Sequence, residues 1–204
     1  MPASAFDRHR KAMGLWLLVI CGMTFAMVVV GGLTRLTHSG LSMVEWRPLM
    51  GTLPPIGDQA WIETFAKYQQ FPEYEKVNHQ MTLSQFKSIF WFEYGHRLLG
   101  RMLGLAFLGP LVFFLARRAV PRQLAPKLVG LFFLGGLQGL IGWWMVKSGL
   151  VDRPDVSHYR LTVHLGAAFA LMAALWWLAL DLLKPGAQDR PIPGAVSPER
   201  GEET

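Results

Sequence analysis

The segment EYGHRLLGRMLGLAFLGPLVFFLA, residues 93–116, combines a polar beginning with a long apolar remainder. Glu93, His96, Arg97 and Arg101 occupy its start, and no charged residue follows from Met102 onward. A helix that crosses a bilayer needs about 20 residues, which this segment supplies. Ionisable groups inside a span are unfavourable in lipid and usually face a partner or a cavity. We therefore interpret the segment as a membrane span with a functional site at one end.

Three other apolar runs in the chain have a similar length, close to the roughly 20 residues that a membrane span needs. Hydrophobic residues make up 51% of the 204 residues, and the mean hydropathy is positive. The four predicted spans cover residues of about 13–34, 93–116, 127–146 and 160–183. The sequence predicts an all-α membrane protein whose residues 13–183 form a four-transmembrane-helix bundle.

A long loop, residues 35–92, separates the first two spans. It contains a Pro54-Pro55 break, and aromatic residues such as Trp61, Phe65 and Tyr68 then recur at roughly helical spacing. This pattern predicts one or two short amphipathic helices lying over the outer face of the bundle. A loosely ordered loop is the alternative.

The basic residues predict the orientation of the spans. They precede the first span, crowd the link between the second and third, and follow the fourth: Arg8, Arg10, Lys11, Arg117, Arg118, Arg122, Lys127 and Lys184. Lysine and arginine mark cytoplasmic segments, so residues 1–12 and 184–204 are expected in the cytoplasm and the loop 35–92 outside. The Pro, Gly, Glu and Arg content of the tail 184–204 predicts disorder.

Two further expectations concern location and partners. The N-terminus has neither a signal-cleavage pattern nor an amphipathic transit segment, which favours a bacterial inner membrane. The net charge of +6 comes mainly from residues at span ends, so it indicates contact with the lipid bilayer and argues against nucleic acid.

Two histidines lie inside the even-numbered spans. His96 follows Glu93 by about one helical turn and His164 follows Arg160 by about one turn, so the two imidazoles are expected at similar depth. Two neutral imidazoles from facing helices can ligate a haem iron axially. The alternative for each is a hydrogen bond to a neighbouring helix. His158 is a reserve candidate, whereas solvated side chains are predicted for His9, His38 and His79.

Three charged residues flank His96 on its own helix. Arg97 and Arg101 are one turn apart, and a guanidinium can hold a haem propionate bidentately; the competing interpretation is contact with lipid headgroups. Glu93 shares a helix face with His96. Desolvation would suit Glu93 to proton transfer, whereas an ion pair with Arg97 would oppose that role. The sequence leaves these alternatives open.

Small residues and a short internal repeat accompany these sites. Gly31-Gly32-Leu33 and Ser39-Gly40-Leu41 recur as Gly135-Gly136-Leu137 and Ser148-Gly149-Leu150, which predicts a helix-hairpin repeat with His96 and His164 at related positions. The spacing of Gly100 with Gly104, and of Gly135 with Gly139, is typical of membrane helices that approach closely or admit a flat ligand between them. The single cysteine, Cys21, is expected to be lipid-facing or packed filler.

Six motifs, in order along the chain, resemble those of one known family. They are GGLTRLTHSGLSMVEWRPLMGTLPP, QQFPEY, MTLSQFK, FEYGHRLLGR, GWWMVKSGL and VSHYRLTVHLG. Together they resemble the N-terminal half of a haem A synthase, of the type without loop cysteines.

The resemblance implies an oxidoreductase that converts the C8 methyl group of haem O to the formyl group of haem A for cytochrome oxidase. It further implies that Glu93 corresponds to the essential glutamate of the first loop. His96 and His164 correspond to the histidine pair that binds the substrate haem and its iron. Haem O synthase is an expected partner.

The resemblance also implies a second half that this sequence lacks. The family has eight spans, with a haem b site in the C-terminal four, whereas the sequence here predicts four spans and no second histidine pair. Three interpretations follow: a catalytic half completed by a second copy or by the missing C-terminal half, an incomplete fragment, and a non-catalytic bis-histidine haem-binding module or b-type cytochrome.

Overall fold

The computed structural model describes residues 4–45, 53–151 and 154–184. These residues form six helices and no strand. The helices are α1 (Ala5–Leu36), α2 (Asp58–Tyr68), α3 (Pro72–Lys76), α4 (Leu83–Ala116), α5 (Ala125–Lys147) and α6 (His158–Leu183). The long helices α1, α4, α5 and α6 are each apolar enough to cross a membrane, which confirms the predicted four-helix membrane bundle.

The four long helices pack side by side as a ring. Helix α1 contacts both α4 and α6, and α5 closes the ring by contacting α6 and α4. Buried apolar side chains from all four meet in one core, including Leu17, Phe107, Leu128 and Leu175. Many other large apolar side chains stay exposed on the ring's outer surface, as expected where the surrounding solvent is lipid.

Helix α4 begins well before the span predicted at residue 93. Thr82 and Gln85 form a capping box, in which the Thr82 side chain accepts from the Gln85 N–H and the Gln85 side chain accepts from the Thr82 N–H. Residues 83–92, predicted as part of the loop, therefore continue the helix of the second span. Phe86 and Phe90 lie on this extension and are buried.

The loop between α1 and α4 has its own small core. Trp61 and Tyr68 of α2 pack against Phe86, Phe90 and Tyr94 of α4. The prediction of one or two short helices in this loop is confirmed by α2 and α3. Because α2 and α3 are anchored by aromatic packing, the ordered alternative for this part of the loop is the one observed.

Two polar contacts join α1 to its neighbours inside the bundle. Pro110 has no N–H to offer the Ala106 carbonyl, which instead accepts a hydrogen bond from the Trp16 indole at 2.9 Å. Cys21 is buried, and its thiol donates to the Met172 carbonyl at 3.6 Å. Of the two alternatives for Cys21, the structure therefore shows packed filler.

Three predicted features fall outside the described residues. They are the structure of the tail from residue 185 onward, that of residues 46–52 in the long loop, and that of residues 152–153 before α6.

Candidate functional site

Glu93 is a buried carboxylate in the first third of α4. One of its oxygens accepts from the Ser42 hydroxyl at 2.8 Å and from the Met43 N–H at 2.7 Å, and the other forms an ion pair with Arg97. Its exposure is 3%. Every partner is a donor, which matches an ionised carboxylate because that group can only accept. The structure shows both the burial of Glu93 and its ion pair with Arg97, so its role in proton transfer stays a prediction.

Arg97 joins the same carboxylate to the chain that follows α1. Its guanidinium donates to the Met43 carbonyl at 2.9 Å and to the Glu45 carbonyl at 3.2 Å, besides contacting Glu93. Residues 42–45 have no regular structure of their own, so these bonds satisfy backbone groups that would otherwise be unpaired. Glu93 and Arg97 together fix this segment over the end of α4.

Arg101 lies one turn further along α4 and is half-buried. Its guanidinium is close enough to Arg97 and Tyr94 to interact with both electrostatically. Because those residues precede it on the helix, the Arg101 side chain extends back toward the α4 N-terminus. Both arginines therefore place positive charge at one end of the bundle.

His96 is packed against a glycine of α1. A Cβ built on Gly31 would lie 3.0 Å from His96 Nε2, so the imidazole occupies the space that a side chain would fill. The ring also makes a hydrogen bond with the Met27 carbonyl. Met27 precedes Gly31 by one turn, so the missing side chain at position 31 gives the imidazole access to the α1 backbone.

His164 occupies a corresponding place on the other side of the ring. A Cβ built on Gly142 of α5 would lie 3.1 Å from His164 Cε1. His164 Nδ1 is buried and, within the part of the chain that the structure describes, has no hydrogen-bond partner. His164 is also close enough to His96 for the two to interact electrostatically. The two predicted histidines thus lie within electrostatic range of each other, one bonded to backbone and one with a nitrogen that has no described partner.

The repeat predicted from the glycines differs in detail from the one observed. The sequence repeat pairs Gly31 with Gly135. In the structure Gly142 is instead the counterpart of Gly31, because His96 of α4 packs against Gly31 and His164 of α6 packs against Gly142. Cβ atoms on Gly135 or Gly139 would meet no described atom within 4 Å. Close packing of described helices is therefore not observed at these two positions, and the alternative, a flat ligand between helices, stays a prediction.

The other glycines and histidines lie apart from this pair. A Cβ on Gly100 would lie 3.5 Å from the Met27 side chain, and one on Gly104 would meet no described atom within 4 Å. His158, the reserve candidate, is exposed at the start of α6. His79 is exposed, and His9 packs its ring against Phe113 and Phe114.

The histidine pair fits an axially ligated haem better than a bare metal ion. Among the described residues, no cluster of three or more His, Cys, Asp or Glu side chains could hold an ion. A haem iron needs only two axial ligands from the protein, since the macrocycle supplies the other four. The unpartnered His164 nitrogen and the two glycine recesses are the observations that fit such a group.

A scan against protein-family models matches residues 14–199 to COX15-CtaA, described as cytochrome oxidase assembly protein. The chain belongs to this family. Its four membrane-spanning helices make it a multi-pass membrane protein of the COX15-CtaA family.

Relatives in the family carry the name "Heme A synthase". One from Nitrosospira multiformis is 62% identical over 177 residues, covering 87% of this chain and 50% of the relative. Others from Nitrosomonas eutropha and Rhodospirillum centenum are each 53% identical over 188 residues, covering 91% and 92% of this chain and 53% and 50% of the relatives. The chain thus spans about half the length of the curated relatives that it matches. No solved structure matches it.

This COX15-CtaA chain also has a buried carboxyl group in its loop core that the sequence did not reveal. Glu73 of α3 is 4% exposed and accepts a hydrogen bond from the Tyr68 hydroxyl at 3.0 Å, and Asn78 donates to that hydroxyl at 2.7 Å. Burial raises the pKa of Glu73 to about 7, and the nearby charges of Glu93 and Asp155 act in the same direction. Burial likewise raises the pKa of Tyr68.

Glu73 also borders a small cavity at the end of α1. The other lining residues include Arg35, His38 and Asp155, and Arg35 forms an ion pair of 2.9 Å with Asp155. Two exposed charged residues, Glu75 and Lys76, follow Glu73 closely. The sequence therefore does not distinguish the buried glutamate from its polar neighbours. A signal was nevertheless present, since Pro72 starts a helix whose second residue is Glu73 and whose third, Tyr74, packs against the aromatic core.

Proposed function

We propose that the chain binds haem O between His96 and His164 and takes part in oxidising its C8 methyl group to a formyl group, the haem A synthase reaction. The single observation that carries this proposal is the pair of imidazoles within electrostatic range of each other, each seated against a glycine of the neighbouring helix. Relatives with the name of that enzyme, identical at more than half of the aligned positions, support it.

The histidines differ in the constraint that the protein puts on them. A ligating imidazole is usually oriented by a hydrogen bond from its other nitrogen, and the Met27 carbonyl supplies this for His96. His164 retains a buried nitrogen without a described partner. We infer that His96 sets the position of the iron and that His164 completes the ligation.

The arginines would hold the carboxylate edge of the substrate. Arg97 already donates to two backbone carbonyls and to Glu93, so it presents a fixed guanidinium at the mouth of the site. Arg101 extends toward the same end. Haem propionates paired with these groups would orient the macrocycle with its opposite edge toward the bundle interior.

Glu93 is proposed to act on charge and protons during the oxidation. A carboxylate fixed by Ser42 and Met43 needs no reorganisation when positive charge develops on the substrate nearby, so it would stabilise that charge. The same oxygen can receive the proton that the methyl group loses, with the Ser42 hydroxyl turning to donate or accept. Molecular oxygen and electrons must come from outside this chain.

We further propose where the protein lies and what completes it. The basic residues beside the spans support a cytoplasmic location of both termini in a bacterial cell, with α2 and α3 on the outer face of the inner membrane. Because the relatives are about twice as long, a C-terminal half or a second copy of this chain would supply the remaining spans and the haem b site. Haem O synthase is the enzyme class that would deliver the substrate.

A second candidate function is haem binding without chemistry. The histidine pair alone is enough to ligate the haem of a bis-histidine b-type cytochrome. The chain also spans only about half the length of its relatives, which supports this candidate. It predicts a low-spin haem spectrum with no modified haem in extracts.

Chromatography of extracted haem separates these functions. The 204-residue chain is purified from a host that makes haem O, alongside His96→Ala, His164→Ala and the exposed control His158→Ala. We expect haem A or its hydroxylated precursor from the wild type and from the control variant. We expect neither compound from the first two variants. Only unmodified haem would support the cytochrome, and full haem A formation by either site variant would overturn the ligand assignment.

A further inference from the structure

Two buried polar atoms lack a hydrogen-bond partner among the described residues, and both lie on the α5–α6 pair. One is His164 Nδ1 and the other is Gln138 Oε1. Gln138 precedes Gly142, the glycine that seats His164, by four residues of α5. It is therefore about 6 Å away from the histidine level along the helix, toward the α5 N-terminus.

The unpartnered amide oxygen is not explained by packing. A buried acceptor left without a donor costs roughly 1–3 kcal/mol, so native proteins seldom keep one without a reason. The corresponding residue of α1, four before Gly31, is the apolar Met27, whose side chain fills space beside Gly100. The bundle thus has an apolar side chain at this position in the α1–α4 half of the repeat. It has an amide side chain at the corresponding position in the α5–α6 half.

The position of the oxygen relative to the arginines restricts what could satisfy it. Arg97 and Arg101 gather positive charge toward the α4 N-terminus, where we have assigned the propionates. Helix α5 runs antiparallel to α4, and its side chains tilt toward its own N-terminus, so Gln138 points to the opposite end of the site. A donor on the edge of the macrocycle remote from the propionates would meet it.

Haem O carries such a donor and haem B does not. On the edge opposite the propionates, haem O has a hydroxyethylfarnesyl group where haem B has a vinyl group. We propose that Gln138 Oε1 accepts a hydrogen bond from this hydroxyl and thereby selects haem O over haem B. The inference rests on the proposed function, because it assumes haem bound between His96 and His164. A site that hydrogen-bonds a substrate hydroxyl discriminates against the analogue without it, since its own polar group then stays unpaired.

The test compares two haems on matched variants. The full 204-residue chain in lipid nanodiscs is titrated optically with haem O and with haem B, as wild type, Gln138→Met and Leu137→Met. Methionine keeps the length of glutamine and removes the amide. Leu137 is the exposed neighbour and serves as the control. We expect Gln138→Met to weaken haem O binding about tenfold while haem B binding changes less than about twofold, and Leu137→Met to change neither.

A Gln138→Met protein that still binds haem B is folded and has its histidines in place. Gln138→Asn, which keeps the amide but withdraws its oxygen by one methylene, should reproduce the selective loss if Gln138→Met fails to fold. An equal loss for both haems would assign Gln138 to packing or to His164 and overturn the inference, as would no loss at all. If the wild type bound neither haem, the proposed function would fall as well, which distinguishes the two failures.

Discussion

A single methyl group added at Gly31 should weaken haem binding without unfolding the protein. In Gly31→Ala, the new Cβ would lie 3.0 Å from His96 Nε2, whereas ordinary contacts of this kind are 3.4–4 Å. The imidazole must therefore retreat by at least 0.4 Å, the difference between 3.4 and 3.0 Å. A side-chain tip moves more easily than a helix backbone, so the change falls on His96.

The size of the effect follows from the contact that the imidazole loses. Its hydrogen bond with the Met27 carbonyl is worth about 1 kcal/mol, which corresponds to about fivefold in affinity. Loss of an orienting partner typically weakens metal binding by about 10–100-fold, so fivefold is the lower bound of our expectation. Alanine in a helix interior is about 0.5–1 kcal/mol more favourable than glycine, which offsets the steric conflict in the haem-free protein.

The adjacent glycine provides the matched control. A Cβ on Gly32 would meet no described atom within 4 Å, so Gly32→Ala should gain helix stability and bind haem as the wild type does. Haem B titration and thermal melting of the three proteins in the same detergent give both quantities. If Gly31→Ala and Gly32→Ala bound haem equally well, the glycine recess would have no part in positioning His96, and the reasoning would be refuted.

Three further predictions concern the surroundings of the site. Glu93→Ala should destabilise the chain by about 3–5 kcal/mol in thermal melting, because it removes the carboxylate from a buried ion pair with Arg97 and the acceptor of two other donors. Glu93→Gln, which keeps an acceptor, should lose clearly less, and equal losses would contradict this. Burial raises the Glu73 pKa from 4.5 to about 7, so its protonation stabilises the fold below pH 4.5 and this contribution, roughly 3 kcal/mol, is lost as pH rises through 7. Hydrogen exchange of α2 and α3 should therefore accelerate from pH 5 to pH 8 more in the wild type than in Glu73→Gln, after correction for intrinsic rates. Gly149→Ala should lower the melting temperature, since its Cβ would lie 2.8 Å from Leu41; a melting temperature unchanged from wild type would mean that this contact can relax.

The fold was predictable because membrane spans obey one dominant constraint. Each long apolar run must pair its backbone polar groups internally, so a run such as residues 161–180 has no alternative to a helix in lipid. The start of α4 at Leu83 was less accessible, since residues 83–92 carry polar groups and resemble a loop. Their helical state depends on the Thr82–Gln85 cap and on aromatic contacts with α2, which a hydropathy profile does not register.

The sequence proposed the members of the candidate site, whereas their contacts could not be predicted from it. The depth of His96 and His164 follows from counting turns, so the sequence could bring them to one level. The glycines that seat them could not be singled out, because Gly31, Gly135 and Gly142 look alike until helix rotation decides which of them faces a histidine. Helix rotation is set by packing across the whole bundle, and glycine spacing alone carries too little information to fix it.

The two halves of the bundle share a geometry and differ in chemistry. In each, a histidine of one long helix rests on a glycine of the long helix before it. At Met27 the recess offers a backbone carbonyl, which holds His96 in one orientation. At Gln138 it offers an amide oxygen without a described partner, beside a histidine whose Nδ1 is also unpartnered. If haem binds as we propose, a symmetric pair would hold any haem equally from both faces. This pair would instead fix the iron from the α1–α4 side and leave the α5–α6 side with hydrogen-bonding capacity to distinguish one haem from another.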